Sequence, residues 1–173
     1  MPEADDSQAF LDLPTADLQD GRQSPAALAL QRGVTRMLAQ QGIACLPEVS
    51  LPNYRRADLL ALSKKGEIWI IELKSSLADY QADKKWPDYL DYCDRFYFAV
   101  APDFPVEVLP PDAGYMLADK YGAEIIREGQ GDCQGRKLPA ARRSLITRLM
   151  ARVGAFRWSR QLDPSRRNKL PRD

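Results

Sequence analysis

The sequence predicts an α/β protein, a mixed central β-sheet flanked by helices, and three observations carry that prediction. Two apolar runs, Leu59 to Leu62 and Ile68 to Leu73, are separated by the turn-like Ser63-Lys64-Lys65-Gly66 and read as a β-hairpin. A capped amphipathic stretch precedes them, opened by Ser24-Pro25 and closed by Gly42. After a helical crossover comes a continuous apolar run, Arg95 to Val100, with the character of a strand buried on both faces. A hairpin followed by such a crossover gives a mixed sheet with helices packed against it.

Taken in order, residues 1–20 hold Glu3, Asp5, Asp6, Asp12, Asp17 and Asp20 with no Lys or Arg, which predicts a mobile acidic arm. In the first helix Ala27, Leu30, Val34, Met37 and Leu38 share one face, the face expected to meet the sheet. Ile43 to Val49 reads as a first strand, interrupted or frayed by Pro47. Centring the hairpin on Lys65 sets its register: Leu62 faces Ile68, Leu60 faces Ile70 and Asp58 faces Glu72. Ser75-Ser76 then cap a helix from about Leu77 to Lys85, with Asp79 suiting its positive N-terminus. Pro87 opens a further short helix or marks a turn. Beyond the Arg95 strand, Phe104 to Pro111 is a Pro-rich loop, and Gly114 to Ala118 and Ala123 to Ile126 are two strands turned at Tyr121-Gly122. Gln130 to Gly135 is a polar boundary. A helix runs from Pro139 to about Phe156 on a stripe of Leu145, Ile146, Leu149 and Val153. The division expected is an arm (1–20), a main domain (21–135), a basic helical segment (136–160) and a disordered basic tail (161–173).

Directly opposed strand residues have Cβ atoms roughly 4.5–5.5 Å apart, and Glu72 and Lys74 share a face because side chains alternate. Two carboxylates and an ammonium therefore converge. Carboxylates this close resist joint ionisation unless a divalent cation lies between them, and hard cations such as Mg²⁺ take carboxylate, water and phosphate oxygens. The bland alternative is a set of solvated hairpin charges, with Lys74 bridging Glu72 in a surface pair worth roughly 0–1 kcal/mol.

The chain contains no histidine, which excludes Ser-His-Asp and Cys-His catalysis, His-ligated zinc and HNH-type nuclease chemistry. Cys45, Cys93 and Cys133 lack CxxC spacing and read as reduced thiols. Net charge is +1, but residues 1–135 carry 13 Lys and Arg against 22 Asp and Glu (net −9), and residues 136–173 carry 12 against 2 (net +10). That basic end is the part suited to phosphate. No apolar run reaches the roughly 18–20 residues that span a bilayer, and the acidic Met1-Pro2-Glu3 start is unlike a signal peptide, so no membrane partner and a cytoplasmic location are expected.

Asp58, thirteen intervening residues and Glu72-Leu73-Lys74 resemble the D…(D/E)-x-K signature of the PD-(D/E)XK nuclease superfamily, over roughly Ser24 to Gly129. Ala57 stands where that signature has Pro. More narrowly, the blocks RADLLA, IIELKSS, DKKWPDYLDYCD and FYFAV resemble the MmcB-like family of bacterial DNA repair proteins. The resemblance implies a restriction-endonuclease-like core and hydrolysis of DNA phosphodiester bonds in repair. It assigns Asp58 and Glu72 to Mg²⁺ or Mn²⁺, Leu73 to the same metal through its carbonyl, and Lys74 to the attacking water or the phosphorane charge. Glu48 is either a further metal ligand or a surface glutamate beside Pro47. For DNA contact the expected residues are Arg55, Arg56, Lys84, Lys85, Arg142 and Arg143, and the helix bearing the last two either faces DNA or docks on the acidic body. The competing reading is a non-catalytic DNA-binding or partner-recruiting module. RNA as substrate, a homodimer and other repair proteins as partners stay open.

Overall fold

A computed structural model describes residues 23–129 and 137–163. The first helix, α1 (Pro25–Gln40), begins where its cap predicts: Ser24 Oγ accepts from the Ala27 N–H at 3.1 Å and Pro25 opens the first turn. It ends at Gln40, and Gly42, with φ 68°, turns the chain away beyond the Gln41 cap. Leu30, Val34, Met37 and Leu38 are buried as the pattern requires, while Ala27 is half-buried at the mouth of a pocket. Gly33 lies so close to the carbonyls of Asp119 and Gly122 that a Cβ has no room there.

Six strands form one sheet in sequence order: β1 (Ala44–Ser50), β2 (Arg56–Leu62), β3 (Ile68–Lys74), β4 (Arg95–Val100), β5 (Gly114–Ala118) and β6 (Ala123–Arg127). The pairs β1/β2, β2/β3 and β5/β6 are antiparallel, and β3/β4/β5 run parallel, so the sheet is mixed. The β2/β3 register is the expected one, with Leu60 opposite Ile70 and Leu62 opposite Ile68. Gly66, at φ 79°, makes the turn, and its N–H bonds the Ser63 carbonyl at 2.9 Å. Pro47 does not interrupt β1; it pairs opposite Leu59 on an edge strand, which tolerates a missing donor. The irregularity falls one residue later, at Glu48, with φ 49°.

Every residue of β3 is buried. One face of the sheet (Leu60, Ile70, Phe96, Phe98) packs with Tyr89, Cys93, Ile146 and Met150; the other (Leu59, Ile71, Leu73, Tyr97) packs with α1. The β3–β4 crossover starts with α2 (Leu77–Ala82), capped reciprocally: Ser76 Oγ accepts from Asp79 N–H at 3.1 Å, and Asp79 Oδ2 accepts from Ser75 N–H at 3.1 Å. This helix stops short of the expected Lys85. Asp83 turns extended, its Oδ1 takes the Lys85 N–H at 3.0 Å, and a 3-10 helix (Trp86–Tyr92) with Pro87 in its first turn carries the chain onward.

The last helix, α3 (Ala140–Leu162), runs six residues past the expected end and takes in Gln161 and Leu162, which the sequence placed in a disordered tail. Its buried residues are Ile146 and Met150, whereas Leu145 is 39% exposed. Three arginines tie it down. Arg143 donates to Asp94 Oδ2 and Oδ1 at 2.5 and 2.7 Å; Arg142 reaches the Asp91 carbonyl at 2.8 Å; Arg157 reaches the Pro47 and Glu48 carbonyls at 2.5 and 2.9 Å. The predicted arm, the Gln130 to Gly135 boundary and the tail from residue 164 lie outside the described residues. Among the described residues no helix is long and apolar enough to cross a membrane.

Candidate functional site

Beyond the last ladder pair of the hairpin, Leu59 opposite Ile71, the two strands are joined through side chains. The Asp58 N–H donates to Glu72 Oε1 at 3.2 Å and the Leu73 N–H donates to Asp58 Oδ2 at 2.9 Å. This reciprocal lock fixes both carboxylates beside each other. Lys74 is on the same strand as Glu72, two residues on; its Nζ donates to Asp83 Oδ2 at 2.9 Å and lies 4.0 Å from Glu72 Oε2. Glu72 and Lys74 are only 3% and 4% exposed, so the trio is no solvated surface pair.

These groups open onto a pocket of about 530 Å³. Its walls come from the β1–β2 loop (Tyr54, Arg55), the start of β2, the end of β3, the crossover (Asp79, Asp83, Lys85, Tyr89) and the first turn of α1. Burial, then the charge of Asp58, pushes the Glu72 carboxyl up to about 8. Burial also raises Asp58 above the usual carboxylate range, although the Leu73 N–H and Lys74 pull the other way. Burial alone would lower the Lys74 pKa, but the Asp83 hydrogen bond and the charges of Glu72 and Asp83 prevail and raise it, so the ammonium stays charged. The Tyr89 hydroxyl, donated to the Arg56 carbonyl at 3.0 Å, is pushed up by burial and by Glu72 and Asp58.

A buried Glu72 and a half-buried Asp58, both held back from ionising by burial and Glu72 also by the Asp58 charge, are a donor set a hard divalent cation relieves. With Leu73 lining the same pocket, they would suit one Mg²⁺ or Mn²⁺ that takes its other ligands from water and phosphate. They do not form a ready-made cage: among the described residues no group of three or more acidic or thiol side chains gathers for a metal. Glu48 is not brought to the pocket. Its Oε1 lies 3.6 Å from Arg56 Nη2, and Arg157 holds its carbonyl.

Of the residues expected at DNA, Arg55, Arg56 and Lys85 line the pocket, and Lys84 lines an adjoining groove of about 330 Å³ with Tyr80, Gln81, Asp83 and Trp86. Arg142 and Arg143 line neither; they dock α3. Sequence reasoning missed Asp83 and Tyr89, although both lie in the DKKWPDYLDYCD block, because neither has a spacing that ties it to β3.

A six-stranded mixed sheet with an interlocked acid pair and a buried lysine at the end of its hairpin defines an α/β protein with an acid–acid–lysine site. Residues 14–165 match the family model described as DNA repair protein MmcB-like, and the chain belongs to that family. A solved protein of unknown function from Silicibacter pomeroyi is similar: 39% identical, TM-score 0.78, with 87% of this chain and 99% of that chain covered. No curated protein matches the chain.

Proposed function

We propose that the protein is a metal-dependent nuclease of the PD-(D/E)XK type that hydrolyses DNA phosphodiester bonds in repair. The observation that carries this reading is the interlock of Asp58 and Glu72 beside a charged, buried Lys74 in one open pocket. Asp58 and Glu72, with the Leu73 carbonyl, would hold Mg²⁺ or Mn²⁺. Such an ion, when bound, supplies an activated water and neutralises charge at the scissile phosphate. Lys74 keeps a fixed positive charge where negative charge develops, and Asp83 fixes the direction of its ammonium. Arg55, Arg56 and Lys85 place further positive charge along the pocket wall for the strand.

Cleavage of labelled nicked, branched, mismatched and single-stranded DNA, with Mg²⁺ or Mn²⁺, tests the proposal. Wild type should cut at least one of them, EDTA should stop it, and Lys74→Ala should slow it by about 10²–10³-fold, the usual cost of removing one transition-state donor.

The second reading, a non-catalytic DNA-binding or recruiting module, is favoured by one observation: the Lys74 ammonium bonds Asp83 at 2.9 Å and stands 4.0 Å from Glu72. It predicts that wild type and Lys74→Ala bind DNA alike and that neither cuts.

A further inference from the structure

Tyr54 is 97% exposed, the most exposed of the large hydrophobic side chains described, yet it forms part of the wall of the carboxylate pocket. Its φ is 63°, in the left-handed region that favours glycine and is uncommon for an aromatic residue. The surrounding loop, residues 51–55, is not loose. The Leu51 N–H bonds the Arg55 carbonyl at 2.7 Å, the Tyr54 N–H bonds the Leu51 carbonyl at 2.9 Å, and the Arg55 N–H bonds Asn53 Oδ1 at 3.2 Å. Asn53 Nδ2 reaches the Asp88 carbonyl at 2.9 Å, and Arg55 pairs with the Asp88 carboxylate at 2.7 Å. A backbone pinned at both ends thus holds an aromatic ring in water, in a conformation glycine adopts more easily, at the mouth of the site. Nothing this ring does within the described protein repays that placement.

An exposed ring followed directly by Arg55 and Arg56 suits one chemistry: a nucleobase stacked on the phenol face with its backbone phosphates near the guanidinium groups. Bases inside a duplex are stacked on each other and offer the ring a face only where that stack is broken. We infer that Tyr54 is the base-stacking contact of this site, and that the strand entering the pocket carries unpaired bases there. The inference rests on the reading of the pocket as a DNA site, and it narrows the substrate to strands unpaired where they meet the protein.

The test is binding without Mg²⁺ or Mn²⁺, read by anisotropy, on three labelled DNAs: a paired duplex, the same duplex with a three-nucleotide mismatched bubble, and that bubble with abasic sites. Wild type should prefer the bubble. Tyr54→Ala should lose about 5- to 150-fold on the bubble, the range for one base stacked on an aromatic ring, and little on the paired duplex. Tyr54→Phe and Tyr54→Trp should keep the preference. Abasic sites should cost wild type the same factor and Tyr54→Ala nothing more. Tyr54→Gly should lose the preference while melting no lower than wild type, which separates contact from folding. Equal weakening on all three DNAs, no effect of Tyr54→Ala, or no DNA binding by wild type overturns the inference. Cleavage is scored separately: an intact stacking cycle without any cutting sinks the nuclease reading alone, and cutting by wild type without the stacking cycle sinks the stacking contact alone.

Discussion

Glu72 carries the conflict on which the site depends, since burial and Asp58 both oppose its ionisation while the Asp58 N–H and Lys74 favour it. The outcome is a carboxyl that titrates at about 8 instead of the ordinary 4.5. The folded protein binds this proton more tightly than the unfolded chain, so the associated stability is full below the ordinary value and lost as pH rises through about 8. Glu72→Gln should therefore flatten the metal-free decline in stability across that window and melt higher than wild type near pH 8, as urea midpoints at several pH values would reveal. A wild-type midpoint that rises over the same window would contradict the raised value. Asp58, Glu72 and Lys74 were legible in the sequence because strand periodicity and a four-residue turn fix their register. Asp83 was not, because it reaches Lys74 only through the early end of α2.

Among the elements, α3 is held by one acid as well as by its buried Ile146 and Met150. Asp94 Oδ2 accepts from the Ile68 N–H at 2.8 Å and from Arg143, and Oδ1 accepts from the Leu138 N–H at 3.0 Å and from Arg143 again. A single carboxylate thus joins the start of β3, the start of β4 and the entry to α3. Asp94→Ala strands those donors and should cost about 2–3 kcal/mol, read from chemical denaturation; a cost within a few tenths would mean that α3 docks by its apolar stripe alone. The strands, α1 and its caps were readable from local pattern. The role of the α3 arginines was not, since Asp91 and Asp94 are some fifty residues away and an arginine facing an acid looks the same in sequence as one facing phosphate.

On the scale of the whole molecule, the strands neighbour one another in chain order, and the parallel β3/β4/β5 block sets the hairpin end with its acids beside the crossover with its basic residues. Opposite charges in body and C-terminal segment are partly matched within the chain: Arg142, Arg143 and Arg157 are engaged on acids or carbonyls of the body. The charge asymmetry was plain in the sequence; that Arg142, Arg143 and Arg157 serve docking was not, because composition does not say which charges meet. The proposed function requires Asp58 and Glu72 to form a metal site completed by DNA. The most direct measurement is a calorimetric titration of Mn²⁺ into wild type and Asp58→Asn, each alone and then with a short inert DNA whose phosphate can fill the remaining positions. One Mn²⁺ per wild-type chain, bound more tightly with DNA and absent from Asp58→Asn, is the predicted result. No binding in either condition, or equal binding by the two proteins, would contradict it.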